Sequence, residues 1–409
     1  MGQMPVNDMT PEQRRCLELA ELAIGVSEPN PRVGCVIVTT AGQRVEGHTQ
    51  AAGGLHAEAH ALALAGKLGV DVRGAQVWVS LEPCSHHGRT PPCSGALIQA
   101  GVARVQVACL DPNPLVSGRG VAALRAAGIS VEVDEGAWAA NARNLNIGFM
   151  SRMERSRPWV RMKMAASLDG TTALLNGRSQ WITAAAARED GHRWRRRAGA
   201  ILTGIGTVRD DDPRLDVRLV ATLNQPLRVV VDSSLAINPK ARVLQPPGQC
   251  LVYTSVHTGD AWQRLHHLPG VEVVTLPTVA SGVPRAEDTP LAQAKTDLHA
   301  LMLDLGRRGI NELHVEAGEK LNGSLLRAGL VDELLVYLAP RLLGRGRGLA
   351  ALFDPPLEAL DQDLRLEFID CEVIGDDLRI RALTDQGRAA MPDLQFQAYA
   401  DIPDPRVGG

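Results

Sequence analysis

His56, Cys84 and Cys93 constrain this chain more than any other feature. Together they can hold one metal ion, but only if three separate stretches of backbone converge on it. Three N/S ligands leave the fourth position of a tetrahedral zinc open, which is the pattern of a catalytic site and not of a closed structural one. Glu58 stands two residues from His56, close enough to move protons at that open position. The local sequence suits such convergence. His56 opens an alanine- and leucine-rich helix that runs to Leu68. Ala75–Leu81 reads as a strand leading straight into Glu82-Pro83-Cys84. Ser94–Ala100 reads as a short helix stopped by Gly101.

The surrounding sequence alternates strand and helix signals. Thr10, Pro11 and Gln13 form a capping box with proline at the first helical position. Val33–Val38, Val102–Leu110 and Ile129–Val133 read as strands, and Val121–Ala127 as a helix. This alternation predicts a largely parallel sheet covered on both faces, with sites at strand ends. A polar, basic stretch, Ser151–Pro158, marks a domain boundary. Beyond it a second α/β region carries strand signals at Ala200–Thr203, Arg228–Val231, Gln249–Thr254, Val271–Thr275, Glu312–Glu316 and Glu333–Ala339. Pro277–Pro290 has loop composition. Two domains fit a length of 409 residues, which exceeds one ordinary core.

Composition narrows the partners. With 43 basic and 46 acidic residues the net charge is −3, so no long-range field draws nucleic acid or an anionic membrane. No apolar run approaches the length of a membrane span. Seven cysteines in a chain this long do not make a disulfide framework; Cys35 and Cys109 sit in apolar runs and read as reduced core thiols. The expected partner is a small molecule, with neither nucleic acid nor membrane, and the expected compartment is the cytoplasm.

His-x-Glu followed by Pro-Cys and a second Cys is the signature of zinc deaminases that attack an amino-substituted base. Zinc lowers the pKa of water to about 7, so a nucleophile is available at neutral pH. Glu58 would carry the water proton to the ring nitrogen and the departing amine. A structural zinc site completed by His48, His60, His86, His87 or Cys109 is the bland alternative. The second half lacks a dinucleotide fingerprint: Gly204 and Gly206 are followed by Arg209 at the third glycine position, and Gly318–Ser324 has phosphate-loop spacing without its lysine. What remains is a strand to Glu316, a glycine turn, and a helix beginning near Lys320, whose backbone N–H groups favour an anionic phosphate.

Eight residues, Ser85–Pro92, separate Cys84 from Cys93. The whole run Pro83–Cys93 resembles the bifunctional deaminase-reductases of riboflavin biosynthesis, as do Pro29–Gly34 and Asp111–Gly120. In the second half Lys163–Gly170, Ser179–Thr183, Gly206–Val208, Asp211–Leu215 and Val315–Gly318 are similar to the reductase half of that family. The resemblance implies an α/β chain with a cytidine-deaminase-like three-layer α/β/α domain over residues 1–152. It implies a dihydrofolate-reductase-like α/β domain over residues 157–384; the tail 385–409 has no assigned role. It implies Zn2+ and NADPH as cofactors, a phosphorylated pyrimidine as substrate, and a homo-oligomer, a dimer or higher. Residue by residue it implies Glu58 as catalytic and His56, Cys84 and Cys93 as metal ligands. Asn30, His48, Arg89, Ser179, Arg195, Leu215, Arg218 and Glu316 would contact substrate. Ala165, Trp181, Thr207, Asp211, Ser233 and the turn Gly318, Glu319, Lys320, Leu321, Asn322, Gly323, Ser324 would contact NADPH.

Overall fold

The structure is a computed structural model that describes residues 9–85, 92–114, 116–279, 295–353 and 356–390. Arg89, His86, His87, most of the loop expected at Pro277–Pro290 and the tail from residue 391 lie outside the described residues. The chain divides into two compact units between Ser156 and Arg157. Among the described residues no helix is long and apolar enough to cross a membrane.

The first unit runs α1 (Pro11–Glu21), β1 (Gly34–Val38), β2 (Arg44–His48), α2 (Ala57–Leu68), β3 (Gln76–Val79), α3 (Cys93–Ala100), β4 (Arg104–Val107), α4 (Arg119–Ala126), β5 (Ser130–Val133), α5 (Ala137–Leu145) and α6 (Ile147–Arg155). The capping box at Thr10 is present: its hydroxyl accepts from Gln13 N, and its own N–H donates to the Gln13 side chain at 2.9 Å. Five strands lie in the order β2-β1-β3-β4-β5. Only β3, β4 and β5 are mutually parallel; β1 is antiparallel to both β2 and β3. The expected largely parallel sheet is thus half of what forms, because β1 and β2 make a hairpin. The polar sequence of β2, Arg-Val-Glu-Gly-His, conceals that strand.

Two glycines set the layers. A Cβ on Gly34 would sit 1.9 Å from Cys16 O of α1, and one on Gly47 would sit 2.2 Å from Ala57 O of α2. The sheet therefore meets α1 on one face and α2 on the other at backbone-contact distance. The basic stretch expected as a boundary is the last turn of α6, whose Phe149, Met150 and Ser151 are buried in this unit.

The second unit runs β6 (Trp159–Ser167), β7 (Thr171–Leu174), α7 (Ala185–Arg197), β8 (Ala200–Gly204), α8 (Ile205–Asp211), β9 (Leu227–Val231), β10 (Cys250–Thr254), α9 (Asp260–His266), β11 (Val271–Thr275), β12 (Thr278–Val279), β13 (Lys295–Thr296), α10 (Leu298–Arg307), β14 (Glu312–Val315), α11 (Glu319–Arg327), β15 (Glu333–Ala339), β16 (Gly346–Gly348), β17 (Leu366–Ile374), β18 (Asp377–Thr384) and α12 (Asp385–Ala390). Its main sheet has the order β11-β10-β9-β8-β14-β6-β15-β18-β17. The strands from β11 to β15 are parallel, and β18 and β17 close the edge in antiparallel fashion. Seven parallel strands place their carboxyl ends along one edge, where α/β sheets bind ligands.

Candidate active sites

In the first unit each metal-ligand candidate sits where an element starts or ends. His56 is the N-cap residue of α2, Cys93 is the first residue of α3, and Cys84 follows the end of β3. His56 Nδ1 lies 3.6 Å from Cys84 Sγ and 3.5 Å from Cys93 Sγ. Tetrahedral zinc with ordinary Zn–S and Zn–N bonds requires an S···N separation of about 3.6 Å. The side chains are therefore set for the ion. Among the described residues this is the one cluster with metal-ligand spacing. His60 and Cys109 do not complete it: His60 Nδ1 takes the N–H of His48, and Cys109 Sγ donates to Ser80 O. A fourth protein ligand is thus missing among the described residues, as a site open to water requires.

The electrostatics suit a cation. Hydrogen bonds from Cys93 and His56 bring the Cys84 thiol down to about 4, against the opposing effect of burial. Cys93, sharing a proton with that thiolate, is pushed up. Glu58 is 3% exposed and within hydrogen-bonding reach of Cys93; burial pushes its carboxyl up to about 7. A carboxyl poised there can both accept and give a proton near neutrality.

Neighbouring loops are held firmly. Asn146, between α5 and α6, accepts Arg32 N–H at 2.7 Å and donates to Arg32 O at 2.8 Å. That clamp fixes the Pro29–Arg32 turn bearing Asn30, and Arg152 adds a bond to Pro29 O. His48 ends β2 with its ring edge-on to His60; burial and His60 lower its pKa. Glu82 accepts backbone N–H groups from Asp111, Gly118, Gly120 and Val121, tying the Asp111–Gly120 loop to the residue two before Cys84. Sequence reasoning gave Glu82 and Asn146 no role. Their function is visible only as bonds to backbone remote in sequence.

In the second unit Glu316 and Gly318 lie just past the carboxyl end of β14, Thr207 just past β8 and Ser233 just past β9. Glu316 follows β14 and forms a two-bond pair with Arg195 of α7, at 2.5 and 2.9 Å. Burial would raise the Glu316 carboxyl, but Arg195 holds it well below the usual carboxylate range. Arg195 also donates to Asp216 O, and Arg218 bonds the Asp216 carboxylate, so Arg195, Leu215, Arg218 and Glu316 form one cluster. Lys163 of β6 is half-buried beside this cluster; desolvation lowers its pKa while Glu316 opposes that shift.

Gly318 is the N-cap of α11, with no side chain capping the helix. A Cβ there would stand 3.6 Å from Thr207 Oγ1, and one on Gly204 would stand 3.1 Å from Leu321 Cδ2. This is a close-walled helix start suited to a phosphate. Buried Asn322 leaves its Oδ1 without a hydrogen bond there, while its Nδ2 donates to Ala317 O. These features fit a nucleotide cofactor. Farther along the turn, Gly323 is pressed against Leu352 O, where a Cβ would come within 2.3 Å, and Ser324 bonds back to Lys320 O. Glu319 and Lys320 occupy the first turn of α11, and Asp211 ends α8. Ser233, just past β9, is bonded to Thr296. Ala165 is half-buried on β6; Ser179 is half-buried in the loop before α7. Trp181 in that loop is 60% exposed, with the Arg188 guanidinium 4.7 Å above its ring.

Two family models match the chain. The cytidine and deoxycytidylate deaminase zinc-binding region covers residues 12–109, and the RibD C-terminal domain covers residues 158–380. Riboflavin biosynthesis protein RibD of Escherichia coli (strain K12) is 42% identical over 377 residues, 89% of this chain and 96% of that protein. The same-named protein of Aquifex aeolicus (strain VF5) is 37% identical, over 89% of this chain and 95% of its own. Among solved structures, form 1 of Acinetobacter baumannii RibD shows 38% identity and a TM-score of 0.78, covering 91% of this chain and 98% of that one. A diaminohydroxyphosphoribosylaminopyrimidine deaminase/5-amino-6-(5-phosphoribosylamino)uracil reductase from Thermotoga maritima shows 30% identity and a TM-score of 0.78, covering 91% and 97%. With a zinc-binding deaminase half, a RibD C-terminal reductase half and this degree of likeness along both, the chain belongs to the RibD family of bifunctional riboflavin-biosynthesis enzymes.

Proposed function

We infer that this protein performs two consecutive steps on one phosphorylated pyrimidine. The first is hydrolytic deamination of 2,5-diamino-6-(5-phosphoribosylamino)pyrimidin-4(3H)-one. The second is NADPH-dependent reduction of the ribosyl side chain, giving 5-amino-6-(5-phosphoribitylamino)uracil. The observation that carries the reading is the buried Glu58 carboxyl beside a three-ligand set in a chain that also holds a reductase half.

His56, Cys84 and Cys93 would hold the zinc, which would supply Lewis acidity and make water acidic enough to react at neutral pH. Glu58 would take a proton from the attacking water and return it to the departing amine, so one water is consumed and one ammonia leaves. Asn30 and His48 hold the pyrimidine and its sugar, with Arg89 meeting the phosphate. In the second half NADPH supplies the hydride. The start of α11, from Gly318 to Leu321, takes cofactor phosphate, with Thr207, Asp211, Ser233, Ala165 and Trp181 around it; Asn322, Gly323 and Ser324 shape the same helix. Arg195, Glu316, Leu215, Arg218 and Ser179 orient the ring-opened ribosyl chain, and orientation carries this step. The setting is the cytoplasm, where Cys84 and Cys93 stay reduced and able to ligate the metal. The protein works as a homo-oligomer.

Metal-loaded protein given the diaminopyrimidinone and NADPH should release ammonia and oxidise NADPH in equal amounts. Ammonia release with no NADPH oxidation removes the reductase step. NADPH oxidation with no ammonia removes the order.

A further inference from the structure

Two residues past β15, the Arg341 side chain reaches across to the loop that carries Trp181. Its Nη1 donates to Trp181 O at 3.0 Å and to Ile182 O at 3.3 Å. We propose that Arg341 is a positioning residue for cofactor binding: by holding these two carbonyls it sets the Trp181 indole at the NADPH site, without touching NADPH itself. The proposal rests on the reading of Trp181 as a contact to NADPH, and it adds to that reading the residue that fixes the contact.

The loop depends on backbone bonds because its aromatic side chain does not anchor it. The indole is 60% exposed, with the Arg188 guanidinium over one face. A ring so exposed gains little from burial, so the backbone decides where it stands. That backbone is held at successive residues. Arg341 takes the carbonyls of Trp181 and Ile182, Arg188 Nη1 donates to Thr183 O at 2.7 Å, and Asp377 accepts Ala184 N–H at 2.7 Å. Arg188 belongs to α7, which the loop enters, and Asp377 opens β18. Arg341 comes instead from the carboxyl ends of the paired parallel strands β6 and β15, the edge at which such sheets bind ligands.

Arg341 is itself fixed before any ligand arrives. Its carbonyl accepts Leu168 N–H at 2.9 Å, which joins the ends of β6 and β15. Just beyond, the Asp169 carboxylate accepts Leu343 N–H at 3.1 Å and Gly344 N–H at 2.7 Å, and Thr171 Oγ1 donates to Gly344 O at 2.7 Å. The segments joined by these bonds carry Leu168 and Leu342, which are 64% and 75% exposed, as well as Trp181. Apolar side chains left exposed on neighbouring loops mark a ligand-binding surface, and they suit a flat heteroaromatic ring. A loop already held in its bound shape avoids the ordering cost of association, so the anchor acts on cofactor affinity more than on turnover. A purely structural role explains less, since side chains at an exposed loop contribute little to stability.

The test is Arg341→Ala, assayed for NADPH-dependent reduction of already deaminated substrate, by itself and in a Trp181→Ala background. The single variant should raise KM for NADPH about tenfold, as loss of a charge-assisted hydrogen bond implies, with kcat changed far less. Its deamination rate and its melting temperature should not move. Arg341→Lys, whose single ammonium can still meet a carbonyl, should restore part of the loss. In the Trp181→Ala background the same substitution should add almost nothing, because the side chain it positions is gone. An unchanged KM for NADPH overturns the proposal. So does an undiminished effect in the Trp181→Ala background, which makes Arg341 act on the cofactor by another route. A lower melting temperature with slower deamination overturns it too, and makes Arg341 a residue of the fold. If Trp181→Ala by itself leaves KM for NADPH at the wild-type value, the reading of Trp181 falls and the proposal with it. A wild type that oxidises no NADPH overturns the reductase reading itself.

Discussion

The zinc site and the reductase site handle buried charge in opposite ways. Around His56 the ionisable groups are mostly anionic or proton-sharing: the Cys84 thiolate, Cys93 and the buried Glu58 carboxyl. In the second unit the buried carboxylates are matched from within. Glu312 meets Arg161 and Arg197, Glu333 meets Arg161 and Arg381, and Glu316 meets Arg195. The first site is completed by a cation from outside, whereas the second is complete before its ligands arrive. Metal dependence should therefore divide cleanly between the two activities.

The largest expected effect comes from removing a ligand. Cys84→Ser or Cys93→Ser should lose zinc by elemental analysis and lower deamination at least about a thousandfold, because water then returns toward its ordinary pKa. Reduction of already deaminated substrate should be unchanged. If both activities collapse together, the comparison fails.

Glu58→Gln sharpens it. Deamination should fall about 10²–10⁴-fold with zinc retained. The metal-free protein should become more stable, and the sign follows from the shift. Glu58 goes from 4.5 unfolded to about 7 folded, so the folded state holds the proton more tightly. Its burial therefore costs stability progressively as pH rises from 4.5 to about 7, and fully above that. At pH 8 the metal-free Gln variant should melt higher than wild type, by a few kcal/mol at most; the gain should vanish toward pH 4. Equal melting at both pH values contradicts the buried-anion account.

Glu316→Gln tests the internally matched site. It leaves Arg195 poorly compensated, at a cost of about 3–5 kcal/mol if the pair behaves as fully buried. Denaturant unfolding should show that loss, and reduction should weaken while deamination and zinc content stay. Smallest is Asn146→Ala, which removes the clamp on Arg32. It should cost about 1–3 kcal/mol and raise KM for deamination through the Asn30 turn.

The contrast also explains what the sequence reveals. The zinc trio is legible because the chemistry demands particular residue types at element ends, and its spacing survives without knowledge of the fold. The hairpin strand β2 is hidden by its polar residues. The central strand β6 is hidden by Arg161 and Lys163, charges that look like surface. Arg161 is buried only because Glu312 and Glu333, each more than a hundred residues away in sequence, supply its counter-charges. In the same way Arg341 looks like a solvated arginine until it is seen to hold the carbonyls of Trp181 and Ile182. Motifs mark groups that act on a ligand directly, whereas Glu82 and Asn146 act on backbone that only the fold brings near.

The most direct test of the central claim follows NADPH oxidation with the diaminopyrimidinone as sole substrate, in wild type and Glu58→Gln. The account expects wild type to consume NADPH, the variant to be nearly silent, and already deaminated substrate to restore the variant fully. A variant that oxidises NADPH as fast as wild type from the diaminopyrimidinone would show that reduction does not wait for deamination at Glu58, and the account of two sites acting in order would be wrong.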